Sequence, residues 1–261
     1  RHFDLPLEPT NIGEDWLNLR QVYLPNSNML DDLPSANNFD PLVPARYARW
    51  MKFLAQADQP TLDRLLARMS VGLVEQVDDS QPYGIRFSAV QSLGRVRWVP
   101  CAIPARDADD AWSRVIHENY TPGFALDYVV LEGIAPLEGA SSETDHCDPS
   151  GTASVEVVAD HPDSLSVKVQ SSTAGWLVVA DTWYPGWVAK VDGVDTPILR
   201  ADYLFRAVPV QAGEHEIIMQ YRPMSFYFGV SISLVAWLLL GWITLAGSPA
   251  RGSIPTLSKS T

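Results

Sequence analysis

The apolar positions of this chain are distributed very unevenly. From Phe226 to Ala246 it reads FYFGVSISLVAWLLLGWITLA, with no charged residue. About 20 apolar residues at 1.5 Å rise are enough to cross a hydrocarbon core of roughly 30 Å, whereas a core helix normally shows polar positions at helical spacing. Ser231, Ser233 and Thr244 are the polar exceptions, and Tyr221, Phe226, Tyr227, Phe228 and Trp242 gather towards the ends as an interfacial belt would. The run predicts a transmembrane helix over 224–246, followed by a short tail, 247–261.

Upstream the pattern changes several times. Residues 1–44 are rich in Pro, Asn and Asp and predict an irregular lead-in. ARYARWMKFLAQA (45–57) puts Tyr47, Trp50, Met51 and Leu54 on one helical face, and TLDRLLARM after Pro60 does the same with Leu62, Leu65, Leu66 and Met69. Short β-like runs follow at 71–77, 84–90 and 95–100, separated by DDSQPYG and QSLG, then a helix over 107–118 with acids in its first turn and a strand at 128–133. Residues 45–132 therefore read as a small mixed α/β region. The Gly, Ser, Asp and Pro-rich stretch 133–153 reads as a linker.

From Ser154 the text is almost purely β. SVEVVA, SLSVKVQ, WLVVAD, WVAKVD, YLFRAVPV and HEIIMQY are cut at even spacing by turn-forming residues, the rhythm of an antiparallel β-sandwich, jelly-roll-like, over 154–222. Asp192-Gly193 is the sharpest hairpin signal in the chain. The fold class expected is α+β: the mixed region, the sandwich and one C-terminal transmembrane helix.

Charge narrows the partners. A net charge of -12 over 261 residues argues against a nucleic-acid or anionic-lipid surface partner. Cys101 and Cys147 fit either one disulfide in an oxidising compartment or two free buried thiols. The start RHFDLPLEP has neither an initiator Met nor a signal-peptide pattern, which suggests the C-terminal piece of a longer polytopic membrane protein. Basic residues flank the apolar run almost evenly, Arg206 and Arg222 before it and Arg251 and Lys259 after it. The reading leans to 1–222 outside the cell membrane and 247–261 in the cytoplasm.

Signatures of common chemistry are absent: there is no phosphate-cradling glycine loop, GxSxG elbow or HExxH. No catalytic residue, cofactor or metal site is assigned, and Asp145-His146-Cys147-Asp148 reads as solvated linker in preference to a metal site. The most distinctive text is TWYPGWVAKVDG with RADYLFRAVPV after it. Trp183, Tyr184, Trp187 and Tyr203 could stack on sugar rings, with Asp181, Asp202, Arg200 and Arg206 bonding hydroxyls. The competing and heavier reading is that these aromatics are core and turn anchors.

The stretch from Leu177 to Leu234 closely resembles the C-terminal segment of the YfhO-like bacterial membrane proteins. The family pattern D-x-Y/W-Y-P-G-W, D-G, R-A-D/N-Y-x-F-R-A-V, A-G-x-H and Y-x-P is met in order by Asp181 to Trp187, Asp192-Gly193, Arg200 to Val208, Ala212 to His215 and Tyr221 to Pro223. NNFDPLVPARYARWM resembles the family lead-in, while LDRLLARMSVGLVEQV departs from its usual wording. The resemblance implies a polytopic protein similar to GT-C-type glycosyltransferases that use lipid-linked sugars to modify cell-envelope glycopolymers. Its catalytic acids would lie in an early loop, so none is carried over here. The role expected for this region is positioning substrate or scaffolding, with a non-catalytic envelope binding or structural module as the alternative. The partners expected are membrane lipid, a lipid-linked sugar or envelope glycopolymer, and upstream membrane helices of the same parent chain.

Overall fold

A computed structural model describes residues 43–78, 80, 85–117, 128–133 and 148–246. The lead-in up to residue 42, most of the expected linker with Asp145, His146 and Cys147, and the tail lie outside the described residues.

The first helix, α1 (Ala45–Leu54), buries Trp50 and Leu54, and α2 (Gln59–Arg68) buries Leu65, the face that the spacing implied. Helix α2 begins one residue before Pro60: Asp58 accepts from the Thr61 amide at 3.3 Å, and Pro fits a first turn whose N–H groups have no helical partner. A hairpin, β1 (Leu73–Val77) with β2 (Ile85–Ala89), forms a two-stranded sheet of its own. Next come β3 (Val96–Val99), β4 (Cys101–Ala105), α3 (Ala108–His117) and β5 (Tyr128–Glu132). Asp107 caps α3 by accepting from the Asp109 and Asp110 amides at 3.0 and 2.9 Å. Strands β4 and β5 pair parallel, so β4, α3 and β5 make a β-α-β crossover.

The remaining strands are β6 (Ala153–His161), β7 (Ser164–Ser171), β8 (Gly175–Val179), β9 (Trp187–Val191), β10 (Val194–Thr196), β11 (Leu199–Ala201), β12 (Phe205–Val210) and β13 (Gly213–Tyr221), before the long helix α4 (Met224–Ala246). They form a five-stranded sheet, β10-β9-β13-β7-β6, and complete a six-stranded sheet, β3-β8-β12-β11-β5-β4. The six-stranded sheet therefore draws strands from both sides of residues 133–153, so hydrogen bonding joins the two regions that the sequence pattern separates.

Two cores explain the hydrophobic wording. Leu177, Val179, Val208 and Val210 of the six-stranded sheet pack with Leu165, Val167, Val169, Ala189, Ile217 and Met219 of the other. On the opposite face Val178, Ala207 and Phe205 pack with Trp50, Leu54 and Leu65 of the helices and with Trp112 and Val115 of α3. A strand covered on both faces reads as a continuous apolar run, as WLVV does, whereas β7, covered on one, alternates. Helices, inner sheet and outer sheet thus make three layers. The architecture is α+β, as the pattern implied.

Helix α4 leaves this body exposed along its length: Trp237 is 75 % and Ile232 70 % accessible. None of its apolar window over Met224–Thr244 is buried. Ser231 and Thr244 return their hydroxyls to the carbonyls of Tyr227 and Gly241, so these two polar side chains are satisfied within the helix. Cys101, fully buried at the start of β4, is disulfide-bonded.

Candidate functional site

The motif-rich segments converge on one end of the six-stranded sheet. Strand β11 leads into β12 through Asp202, Tyr203 and Leu204, and both Asp202 (φ 46°) and Tyr203 (φ 70°) are left-handed. Asp tolerates that region; for a bulky Tyr it is an outlier that the surroundings must hold. They do so on several sides. The Asp202 amide donates to Val130 O at 2.7 Å, and the Trp183 amide donates to Leu204 O at 2.6 Å. The Tyr203 ring lies 5.0 Å from that of Trp112, and its carbonyl accepts from Arg46 at 3.0 Å.

Asp202 itself is wholly buried. Its carboxylate accepts from the Val130 amide at 2.9 Å and pairs with Arg68 at 2.6 Å and Arg97 at 3.1 Å. Burial draws the Arg97 guanidinium down to about 10, with Asp202 opposing the shift and Arg68 adding to it. A second cluster surrounds Asp181, which pairs with Arg95 at 2.7 Å and with Arg206 at 2.5 Å. Arg206, 2 % exposed, holds its guanidinium carbon over Trp187, 3.9 Å from the ring centre. Burial lowers the pKa of Arg206, with Asp181 pulling the other way. Trp187 in turn stands 5.6 Å from Tyr221.

Next to these clusters a cleft of about 220 Å³ opens between the start of α1, the Thr182–Pro185 turn and the β11–β12 connection. Its lining includes Pro44, Ala45, Arg46, Thr182, Trp183, Tyr184, Pro185, Arg200, Tyr203 and Leu204. Of the eight sequence-predicted contacts, Trp183, Tyr184, Arg200 and Tyr203 meet here. Asp181, Asp202, Trp187 and Arg206 do not line it; they hold the framework behind it, and full burial keeps Asp202 from any ligand. Sequence reasoning missed Arg46 and Glu132. Arg46 stands at the first turn of α1, where only the Pro-Ala-Arg start of the helix hinted at it, and it is paired with Glu132 through its two terminal guanidinium nitrogens, one bond being 2.9 Å. That pair raises the Arg46 pKa.

Arg200 differs from its neighbours. It stands directly across from Arg206 on one side and Glu132 on the other. Like charges opposite one another disfavour a sheet unless each is compensated. Arg206 has Asp181, and Glu132 has Arg46. Among the described residues the Arg200 guanidinium has no hydrogen-bond or ion-pair partner, and it stacks on Trp183 at 3.9 Å. Burial and the nearby Arg46 lower its pKa, with Glu132 opposing. A planar cation fixed on an indole with its donors unused is prepared for an anion.

The cleft is also tied to the long helix. The Arg222 amide donates to Gly186 O at 2.6 Å, and Gly186 (φ 108°) is packed so closely that a Cβ there would stand 3.0 Å from Pro223 Cα. Glycine is required for both the angle and the approach. The turn that walls the cleft is therefore strapped to residues immediately preceding Met224, the first residue of α4.

No curated protein and no solved structure matches this chain. A family model does match: residues 149–233, from just before β6 into the first part of α4, match the model of the bacterial membrane protein YfhO, the same family that the motifs from Asp181 to Pro223 resemble.

Proposed function

We propose that this is the extracytoplasmic C-terminal region and last membrane helix of an envelope protein resembling lipid-linked-sugar glycosyltransferases, and that it positions substrate beside the membrane while the chemical step occurs elsewhere. The observation that carries this reading is the strap: the turn holding Trp183 and Tyr184 is bonded through Gly186 to the Arg222 amide and packed there against Pro223, so the cleft stays beside the start of α4. Aromatic rings with an adjacent guanidinium suit a sugar attached to an anionic carrier. Disulfide-bonded Cys101 supports an oxidising compartment and hence the outward side.

The test is made in cells carrying the parent protein. Tyr184→Ala combined with Arg200→Gln should lower glycan decoration of the envelope polymer several-fold, with the protein's abundance and unfolding midpoint unchanged. Trp187→Ala, which uncovers Arg206, should instead lower stability. Unchanged decoration in the double variant would favour the alternative, a non-catalytic binding or structural module.

A further inference from the structure

We propose that the cleft between α1 and the Thr182–Pro185 turn binds the phosphate of an anionic membrane-lipid headgroup, with Arg200 as its principal cation. This rests on the membrane-side reading above and names the chemistry of the same site.

The charge count around the cleft leads to it. Arg46 is neutralised by Glu132 and Arg49 by Asp109 at 2.7 Å, while Arg206 is engaged by Asp181. Arg200 is left as surplus positive charge, in a chain whose net charge is -12. An acidic protein avoids a broad anionic surface, but one unpaired guanidinium in a recess selects one anion. The recess is small: about 220 Å³ admits a headgroup and no more than part of an acyl or glycan chain. Its walls are suited to the task. The N-terminus of α1, whose first-turn amides have no partner within the helix, borders it, and its N-cap residue Pro44 supplies no side-chain cap. Tyr184, 51 % exposed, forms the rim, and Tyr and Trp favour the headgroup depth of a bilayer. The strap from Gly186 to Pro223 keeps that rim next to the helix that would cross the bilayer.

The lipid source is favoured over a soluble phosphate by that placement. A headgroup anchored in the bilayer meets the cleft at high local concentration, and its chain remains in the hydrocarbon alongside α4. Arg200 supplies a planar fork, which pairs with phosphate oxygens in a bidentate way that a lysine cannot reproduce.

The experiment uses the full chain with its membrane helix in neutral, sugar-free detergent micelles, titrated calorimetrically with dihexanoyl-phosphatidylglycerol. Dihexanoyl-phosphatidylcholine and glycerol 3-phosphate are the controls. The phosphatidylglycerol lipid should bind saturably and more tightly than either. Arg200→Gln should weaken it about tenfold, the size of one lost charge-assisted hydrogen bond. Lys168→Gln, an exposed lysine of β7, should leave it unchanged. Arg200→Lys, which keeps the charge and loses the fork, should fall between, and it decides the matter should the Gln variant not fold. Equal binding of the zwitterionic lipid, or wild-type affinity in both Arg200 variants, overturns the proposal. Equal affinity for glycerol 3-phosphate overturns the lipid source. Lipid binding lost in Arg200→Gln with envelope glycan unchanged would leave the headgroup site standing and remove substrate positioning; lost glycan without anionic lipid binding would do the reverse.

Discussion

At the scale of single residues, the arginines and aspartates of the RADYLFRA stretch divide by burial. Asp202 has Arg68, Arg97 and the Val130 amide around it and no access to solvent, while Arg200, two positions earlier, faces a cleft. Removing one member of a buried ion cluster leaves the others charged and uncompensated, at a cost of about 3–5 kcal/mol. Asp202→Asn should therefore lose about that much stability in chemical denaturation followed by tryptophan fluorescence. Arg200→Gln should lose less than about 1 kcal/mol, because a partly exposed cation without a carboxylate partner contributes little to folding. Comparable losses in the two variants would show that the division by burial is wrong. The four residues that sequence reading offered as glycan contacts but that stand behind the cleft, Asp181, Asp202, Trp187 and Arg206, have a common reason for having carried both a binding and a structural reading. Charged and aromatic residues in an otherwise apolar segment resemble a binding site in the text, and only the fold reveals that Arg68, Arg97 and Arg95 come from far upstream to meet them.

At the scale of elements, the local signals were the ones legible in the sequence. Asp192 (φ 51°) and Gly193 (φ 80°) form the two-residue turn between β9 and β10 that their identity implied, with Val191 opposite Val194. The helix faces of α1 and α2 and the alternation in β7 were equally visible, since each depends on spacing within one element. Strand β4, by contrast, contains a proline at 104 and joins β5 in parallel across α3, and β11 is only three residues long, so neither carries its own periodicity. The β9–β10 turn makes a further prediction. Asp192 accepts from the Glu216 amide at 2.9 Å and from His215 Nδ1 at 2.6 Å, which docks the hairpin on β13. The Asp192 contact raises the His215 pKa, so the imidazolium form is favoured in the fold. Its stabilisation is complete below the ordinary histidine pKa and is lost as pH rises through the raised value. The Glu216 amide, and then His215, lower the Asp192 pKa, which removes that partner only in strong acid. Thermal melting of wild type against His215→Gln should therefore differ more near pH 5.5 than near pH 8.5, by the small amount expected of an exposed pair. A difference independent of pH, or larger at the alkaline end, would mean that the ion pair is not what docks the hairpin.

At the scale of the whole molecule, an acidic three-layer body and a bare apolar helix are joined by one short strap, and a labelling experiment decides on which side of the membrane the body stands. The helix has no stable place in water with its apolar window unburied, so it takes up the bilayer and fixes the body at a surface. Positive charge around the helix is too evenly divided to choose a side, and Arg206, one of the residues that would be counted, is already buried against Asp181. The disulfide at Cys101 agrees with the outward side proposed above, because reducing cytoplasm does not sustain such bonds. It also removes the native thiol background at Cys101, so an introduced cysteine can report topology. Val194, 68 % exposed at the tip of the β9–β10 hairpin, is suited to this because its side chain packs against little and its replacement leaves both cores intact. In intact bacterial cells Val194→Cys should react with a membrane-impermeant maleimide, and an extracytoplasmic body requires that reaction without lysis. Reaction only after lysis would place the body, and with it the cleft around Arg200, on the cytoplasmic face, where lipid-linked sugars displayed outside the membrane could not reach it.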